Sequence, residues 1–561
     1  MSDQLKHECG VALLRLRKGA AHYREAYGAA DFGGVKLSLL LEKQHNRGQD
    51  GAGAAVLRLN PEPGQPAYDV FKSVAANPLT GLLAQLTRRK AGDETLFLGH
   101  LRYATFGRGD VAFCHPFVHK SSCLNRTLLM AGNFNLTNND ELFEYYKSLG
   151  HHPDHTADGY LITQVVAHRL GQSLDRGEPV RFEEILRDTL SHMDGAYTLC
   201  GMTADGWSFA IRDPHGIRPG YYYVNDEVAA VASERPAIQA AFDCSVDDVK
   251  PLPPGVAMIV DPVGNVEFRD CLEPQEKRSC VFERIYFSRA NDHLIHQERK
   301  ALGAALADRV VASAGDDLEN IFFSYIPNSA QVSFHGLLER MVHLGLTLGK
   351  DVRFGQVAVK DAKFRTFIAD AAARREFYQH VYDVTYGLVR PGQDTLVVID
   401  DSIVRGNTMK NAILPMLDRL GPKKIVVASS APPIRYPDCY GIDMSTLGEL
   451  VAFRALVNLL GENADAELRA AYESDALDPL AKLYAKFPEA VHSAEIARLL
   501  TPSGLKAKVT VVFQSVPDLH KACPLNSGDW YFTGNYPTPG GYRVLRKALL
   551  NYLERRTDRS Y

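Results

Sequence analysis

The sequence predicts an α+β unit followed by an α/β unit, and two observations carry that prediction. Up to about residue 275 the apolar runs are short, of strand length and punctuated by Gly, Asp and Asn, with few helical stretches among them. From about 295 to 450, helix-period and strand-length segments alternate one for one, the order that builds a mostly parallel sheet. With 561 residues, 45% hydrophobic and 23% charged, the chain has an ordinary globular composition. Its length allows about two to four domains.

Taken in order, HECGVALLRL, DETLFLGHLRY, RTLLMAGNF, GAYTLCGMTADGWSFAIRD and GVAMIVDPVGNVEF are apolar or alternating and read as strands. SLLLEKQHN and TADGYLITQVVAHRL carry the 3.6-residue apolar spacing of helices. Pro254, Gly255, Pro262 and Pro274 cluster ahead of a break near PQEKRSCVFERIYF. Beyond it ERKALGAALADRVV, SFHGLLERMVHLG and NTMKNAILPMLDRLG read as helices, and ENIFFSYIP, TLVVID and KIVVASSAP as strands. Residues 462–500 read as helical and amphipathic; the strand VTVVFQS and the helix YRVLRKALLNYLERR follow. The expected organisation is a first unit over 9–275, a second over 276–460, and a mostly helical region, 461–561, that completes the second.

Bulk properties exclude several classes. A net charge of −4 and a pI near 6.6 argue against a general nucleic-acid binder. No run approaches the ~18 apolar residues of a membrane span. MSDQLKHECGVALLRL lacks the ordered zones of a signal peptide, so a cytoplasmic protein without a membrane partner is expected. The nine cysteines are odd in number and irregularly spaced, which argues against a disulfide framework or a zinc-finger-like site. Most should be small buried hydrophobes.

The segment LVVIDDSIVRGNTMK, Leu396 to Lys410, carries the clearest chemistry. A buried parallel strand ends in two carboxylates, Asp400 and Asp401, and a short loop then leads into a helix. Such a strand–loop–helix places a site at the C-terminal edge of the sheet. Backbone N–H groups from Ser402, Ile403, Val404, Arg405, Gly406, Asn407 and Thr408 can hold a phosphate at the helix start. The Ser402 and Thr408 hydroxyls add donors, and Gly406 permits close approach. Asp400 and Asp401 suit ribose hydroxyls, which need acceptors, and can help place a Mg²⁺ that carries pyrophosphate.

This segment resembles the phosphoribosyl pyrophosphate (PRPP) motif of type I phosphoribosyltransferases, in the form used by glutamine–PRPP amidotransferases. SYIPNSA is similar to that family's pyrophosphate turn, with Asn328 in place of Asp and Ser329 kept. KDAKFRTFI resembles its lid, with Phe364 where the family has Gly; the resemblance gives Lys360 and Arg365 pyrophosphate contacts. In the first half QHNRGQDGAG, GHLRYATFG, GNFNLTN, TADGYL and RDPHGIRPG occur in order and together resemble the class II glutamine amidotransferase domain. The implied fold is an N-terminal-nucleophile αββα sandwich followed by a type I phosphoribosyltransferase sheet with helical additions.

The resemblance also implies roles. Cys9 is the nucleophile and its own α-amine the base, once residues 1–8 are removed. Asn133 and the Phe134 N–H form the oxyanion hole. Arg102 holds the substrate carboxylate, Asp158 its ammonium, and Arg47 and Thr105 line the glutamine pocket. Phe134 stands where the family has Gly, and Asn46 is an insertion. Cys280 and Cys439 match two of the four iron–sulfur cysteines of some relatives. The other two positions are Gly528 and Tyr531, so no cluster is expected. The implied activity is amidophosphoribosyltransferase, with glutamine and PRPP as substrates, Mg²⁺, purine nucleotides as inhibitors, and a homo-oligomeric state. The alternative is a non-catalytic, PRPP-binding or regulatory homologue.

Overall fold

The structure is a computed structural model. It describes residues 8–89, 92–104, 107, 109–315, 317–360, 382–556 and 558–560.

The first half is built on two antiparallel sheets. In spatial order the first contains Lys250–Pro251, Tyr221–Val224, Val228–Ala232, Gly10–Leu16, Glu94–Arg102, Gly51–Arg58 and Tyr68–Ser73. The second contains Val266–Asp270, Val256–Val260, Ser208–Arg212, Gly195–Thr203, Leu128–Leu136 and Phe117–His119. Strand period explains the layering. Val11 and Leu13 point into a core between the sheets with Leu129, Ala131, Cys200 and Met258. Their neighbours Ala12, Leu14 and Leu16 point outward, against a helix formed by Phe32–Glu42. Asp158–Asp175 and Phe182–Leu190 cover the second sheet in the same way. The result is the αββα sandwich.

The second half holds a five-stranded parallel sheet: Arg353–Phe354, Ile321–Tyr325, Thr395–Asp400, Lys424–Ser429 and Lys508–Phe513. Leu396 and Val398 face one helical layer, and Val397 and Ile399 the other. Both faces are therefore buried, which is why this strand reads as one unbroken apolar run.

Three segments differ from the expected elements. ERKALGAALADRVV is two helices, His293–Ala305 and Ala307–Ala314, separated at Leu306. NTMKNAILPMLDRLG begins with a π-helical turn, Met409–Ile413, before Leu414–Asp418. Residues 462–500 form Ala464–Glu473, Ala481–Tyr484 and Glu489–Leu500. Pro479 and Pro488 interrupt that pattern, and the Asp478 carboxylate accepts from the Leu480 N–H (2.8 Å) and the Tyr436 hydroxyl (2.7 Å) instead of lying within a helix.

The two halves interlock. One core joins Ala196 and Ile217 of the first to Cys280, Phe282, Tyr440, Trp530 and Leu545 of the second. The Asn135 amide donates to the Cys439 carbonyl across this seam (2.6 Å), and the Gly540 N–H donates to Asp194 (2.8 Å).

Candidate active site

Cys9 immediately precedes the strand Gly10–Leu16, beside Glu94–Arg102. Its thiol accepts from the Tyr103 N–H (3.3 Å). Burial pushes the thiol up to about 11, against the pull of that N–H and of Arg102. Cys9 therefore needs a base to become a nucleophile. With residue 8 still attached, its nitrogen is a peptide nitrogen and supplies none.

Cys9 opens onto a cavity of about 650 Å³ that Arg102, His115, Phe134, Asp158 and Arg559 also line. Arg102 ends its strand, and its guanidinium donates to the Gly107 carbonyl (3.1 Å). Asp158 opens a helix, where its carboxylate accepts from the Gly159 N–H (2.8 Å). Burial pushes Asp158 up to about 6, with that N–H and Arg102 opposing. Phe134 lies within Leu128–Leu136 and is not among the residues with positive φ. The backbone thus accepts a side chain where glycine was expected.

Asn133 is adjacent but not on the cavity wall. By strand period it shares the face of Leu129 and Ala131, toward the layer between the sheets. It is 3% exposed, and its Nδ2 has no hydrogen-bond partner among the described residues. An unpaired buried donor is uncommon and asks for an acceptor that arrives later. The residue before it, Gly132, is clamped by two histidines, His100 within the motif GHLRYATFG and His115 outside every motif, neither of which had been given a role. His100 Nε2 lies 3.0 Å from its carbonyl, and its N–H donates to His115 Nδ1 (3.2 Å). Burial holds both rings neutral, and they stack at 4.0 Å.

Arg47 corrects one expectation. It is fully buried and absent from the cavity wall. Its guanidinium is committed to Glu234 (2.7 Å) and Glu283 (2.6 Å), because a buried cation must be paired. Thr105 lies outside the described residues.

The second constellation stands at the C-terminal end of the parallel sheet. The Ser329 hydroxyl donates to Asp401 Oδ2, and the Ser402 hydroxyl to Asp401 Oδ1 (2.8 Å). The Asp401 N–H donates to the Asp400 carboxylate (2.9 Å). Burial pushes Asp401 up, and Arg299, a further residue that the motifs did not reveal, draws it down. Gly406 turns the loop at φ +79°, and its carbonyl accepts from the Lys410 N–H (2.9 Å). Ile403 and Val404 are buried, which leaves only their backbone to a ligand. Asn407 is exposed and Thr408 half-buried. Arg405 turns away from the loop toward Glu449 (2.7 Å) and Asp443 (3.7 Å). Asp443 also meets Arg559 (3.6 Å) and the Tyr103 hydroxyl, and both of these residues line the cavity at Cys9. Lys360 ends the strand Ala358–Lys360, but its side chain, like all of Arg365, lies outside the described residues.

Cys280 and Cys439 are buried free thiols. Tyr531 lies against Cys280, its hydroxyl 3.5 Å from the sulfur and accepting from the Phe282 N–H (2.8 Å). Among the described residues no group of three or more His, Cys, Asp or Glu could hold a metal ion, and no helix is long and apolar enough to cross a membrane.

The fold and the two constellations define a glutamine amidotransferase unit joined to a phosphoribosyltransferase-type unit. Residues 115–240 match the glutamine amidotransferase domain family. The amidophosphoribosyltransferase of Bacillus subtilis is 30% identical over 457 residues, 80% of this chain and 84% of that protein. That of Haemophilus influenzae is 30% identical over 377 residues, 65% of this chain and 71% of that protein. The solved B. subtilis glutamine PRPP amidotransferase, complexed with ADP and GMP, superposes with a TM-score of 0.67 at 24% identity, over 94% of this chain and 97% of that one. The chain belongs to the amidophosphoribosyltransferase family.

Proposed function

We propose that this protein makes 5-phosphoribosylamine, glutamate and pyrophosphate from PRPP, glutamine and water, the first step of de novo purine synthesis. The observation that carries this reading is the pairing of two unlike sites in one interlocked chain. A half-buried thiol with Arg102 and Asp158 lies at one, and the Ser329–Asp401 pair at the end of a parallel sheet lies at the other. The units are 9–275, 276–460 and 461–561.

Cys9, freed of residues 1–8, attacks the glutamine amide, with its own α-amine taking the thiol proton. Arg102 holds the α-carboxylate by a charge-assisted fork and Asp158 the α-ammonium. Asn133 Nδ2 and the Phe134 N–H hold the oxyanion. Ammonia released there travels inside the protein, because in water at neutral pH it would become unreactive ammonium. It attacks C1 of a PRPP whose ribose hydroxyls bond Asp400 and Asp401 and whose phosphate sits in the 402–408 loop. Lys360, Arg365 and Ser329 serve the pyrophosphate.

Asp400 and Asp401, with no third His, Cys, Asp or Glu ligand among the described residues, suit a Mg²⁺ that keeps waters and substrate phosphates in its shell. Held by Asp400 or Asp401, it would neutralise charge on the leaving pyrophosphate. No iron–sulfur cluster belongs to this reading, since Gly528 and Tyr531 cannot ligate one. The protein is cytoplasmic and homo-oligomeric, and purine nucleotides inhibit it; the ADP and GMP in the B. subtilis structure support the last point.

The test measures pyrophosphate release from PRPP with glutamine or with ammonia. Cys9→Ala should lose the glutamine-driven rate and keep the ammonia-driven one. Full glutamine activity in that variant would refute the nucleophile. PRPP binding without turnover in the unaltered protein would favour a regulatory homologue.

A further inference from the structure

The second sheet ends at the short strand Phe117–His119, which pairs with Leu128–Leu136 only from Leu128 to Met130. Beyond Met130 that edge has no partner strand among the described residues, yet the strand runs on through Gly132 and Phe134, which line the cavity at Cys9. The register fixes where their backbone groups point. Phe134 lies opposite Tyr197 of the inner neighbour, Gly195–Thr203. The Tyr197 N–H donates to the Asp213 carboxylate (3.3 Å), and its carbonyl accepts from the Asp213 N–H (2.9 Å). Tyr197 thus turns its backbone away from Phe134, so Phe134, and Gly132 two residues before it, turn theirs toward the open edge. An oxyanion needs an N–H aimed there, but the ladder that would hold it in place has ended.

Two imidazoles stand where the strand is missing. The Gly132 N–H donates to His115 Nδ1 (3.2 Å), and His100 Nε2 donates to the Gly132 carbonyl (3.0 Å). An N–H only donates and a carbonyl only accepts, so each ring carries a proton on Nε2, and Nδ1 of His115 carries none. Burial disfavours a second proton on either ring, as do Lys72 and Arg102, the cations that face the pair. The rings stack at 4.0 Å, 10° from parallel. His100 comes from the facing sheet, on the inward side it shares with Leu96 and Leu98. His115 precedes the edge strand, and its carbonyl settles against Gly53, the cross-strand neighbour of His100, where a Cβ would lie 1.8 Å from the oxygen. Together the two rings fix both peptide planes that flank Gly132. The next peptide along carries the Phe134 N–H.

We propose that His100 and His115 are positioning residues of the glutamine site: a side-chain substitute for the missing edge strand, they hold the peptides around Gly132 so that the Phe134 N–H stays aimed at the oxyanion. The proposal rests on the reading that Asn133 and the Phe134 N–H stabilise that oxyanion. Neither ring exchanges a proton during the reaction. Their contribution is preorganisation, since a donor that need not move when charge develops is worth most in the transition state. Glutamine binding, through Arg102 and Asp158, does not depend on the clamp, so its loss falls on kcat rather than KM.

The test uses amide side chains, because Asn places its polar atoms near the position of a histidine Nδ1 and Gln near that of Nε2. His115→Asn can still accept from the Gly132 N–H, and His100→Gln can still donate to the Gly132 carbonyl; His115→Gln and His100→Asn cannot. Initial rates should put the glutamine-driven kcat within about threefold of wild type for the first two and about 10- to 100-fold below it for the second two, with glutamine KM little changed. Ammonia-driven pyrophosphate release, which bypasses the glutamine site, is the fold control. Wild-type kcat in all four variants, with Asn133→Ala still impaired, overturns the clamp and leaves the oxyanion reading standing. Wild-type kcat in Asn133→Ala as well overturns both. An equal fall for Asn and Gln at each position, or a parallel fall in the ammonia-driven rate, makes the histidines structural and overturns the positioning role. A raised KM at constant kcat overturns it too, by making His115 a substrate contact.

Discussion

Asn133→Ala separates catalysis from structure, because the Nδ2 it removes has no hydrogen-bond partner among the described residues. An unsatisfied buried donor costs about 1–3 kcal/mol. Truncation to Ala relieves that cost and leaves a small cavity that costs roughly as much, ~1–2 kcal/mol for a side chain of this size. The two effects nearly cancel, so the melting temperature should move by only about 2 °C. Catalysis has no such compensation. Loss of one oxyanion donor lowers kcat by about 10²–10³, or ~2.7–4 kcal/mol. The assay measures glutamate release and pyrophosphate release with glutamine, and pyrophosphate release with ammonia. The glutamine-driven kcat should fall by that factor with KM little changed, and the ammonia-driven rate should hold. A wild-type glutamine rate would refute the oxyanion role. A parallel fall in both rates, or a large drop in melting temperature, would make Asn133 structural.

Two further outcomes follow. Asp158 is protonated below its elevated value of about 6 and ionised above it, so its pairing with an ammonium is lost as pH falls through that value. Glutamine KM should therefore climb below about pH 6; Asp158→Asn should show the high KM already at pH 8 and no further rise, seen in initial-rate profiles. At Gly406 an added Cβ would meet Leu500 Cδ2 at 2.2 Å, at a φ of +79°. Gly406→Ala should weaken PRPP binding in calorimetry; adding Leu500→Ala should remove the clash but not the backbone cost of about 1–2 kcal/mol, leaving recovery partial.

The Gly406–Leu500 contact also gives the 462–500 region a place. The helix Glu489–Leu500 packs on Val451, Ile413 and the parallel sheet, and its last residue seats on the 402–408 loop at Gly406. Its amphipathic period was legible in the sequence; the surface it covers was not.

What the sequence determined by itself is local. The alternation of Val11 and Leu13 with Ala12 and Leu14, the unbroken run Leu396–Ile399, and the residue order Asp400-Asp401-Ser402 depend only on near neighbours, and so does the placement of Cys9 before a strand. Side-chain period and backbone propensity act over a few residues, and a reader of the chain has those in hand. Tertiary structure decided the partners. Arg47 meets Glu234 and Glu283 across 187 and 236 residues. Those ion pairs withdraw it from the glutamine pocket expected of it. His115 stacks on His100, Arg299 reaches Asp401, and Glu8 finds Arg218, none at a spacing that a motif records. Desolvation is the physical reason. A charge is forced to choose a partner only when packing removes water from it, and packing is set by how whole elements dock.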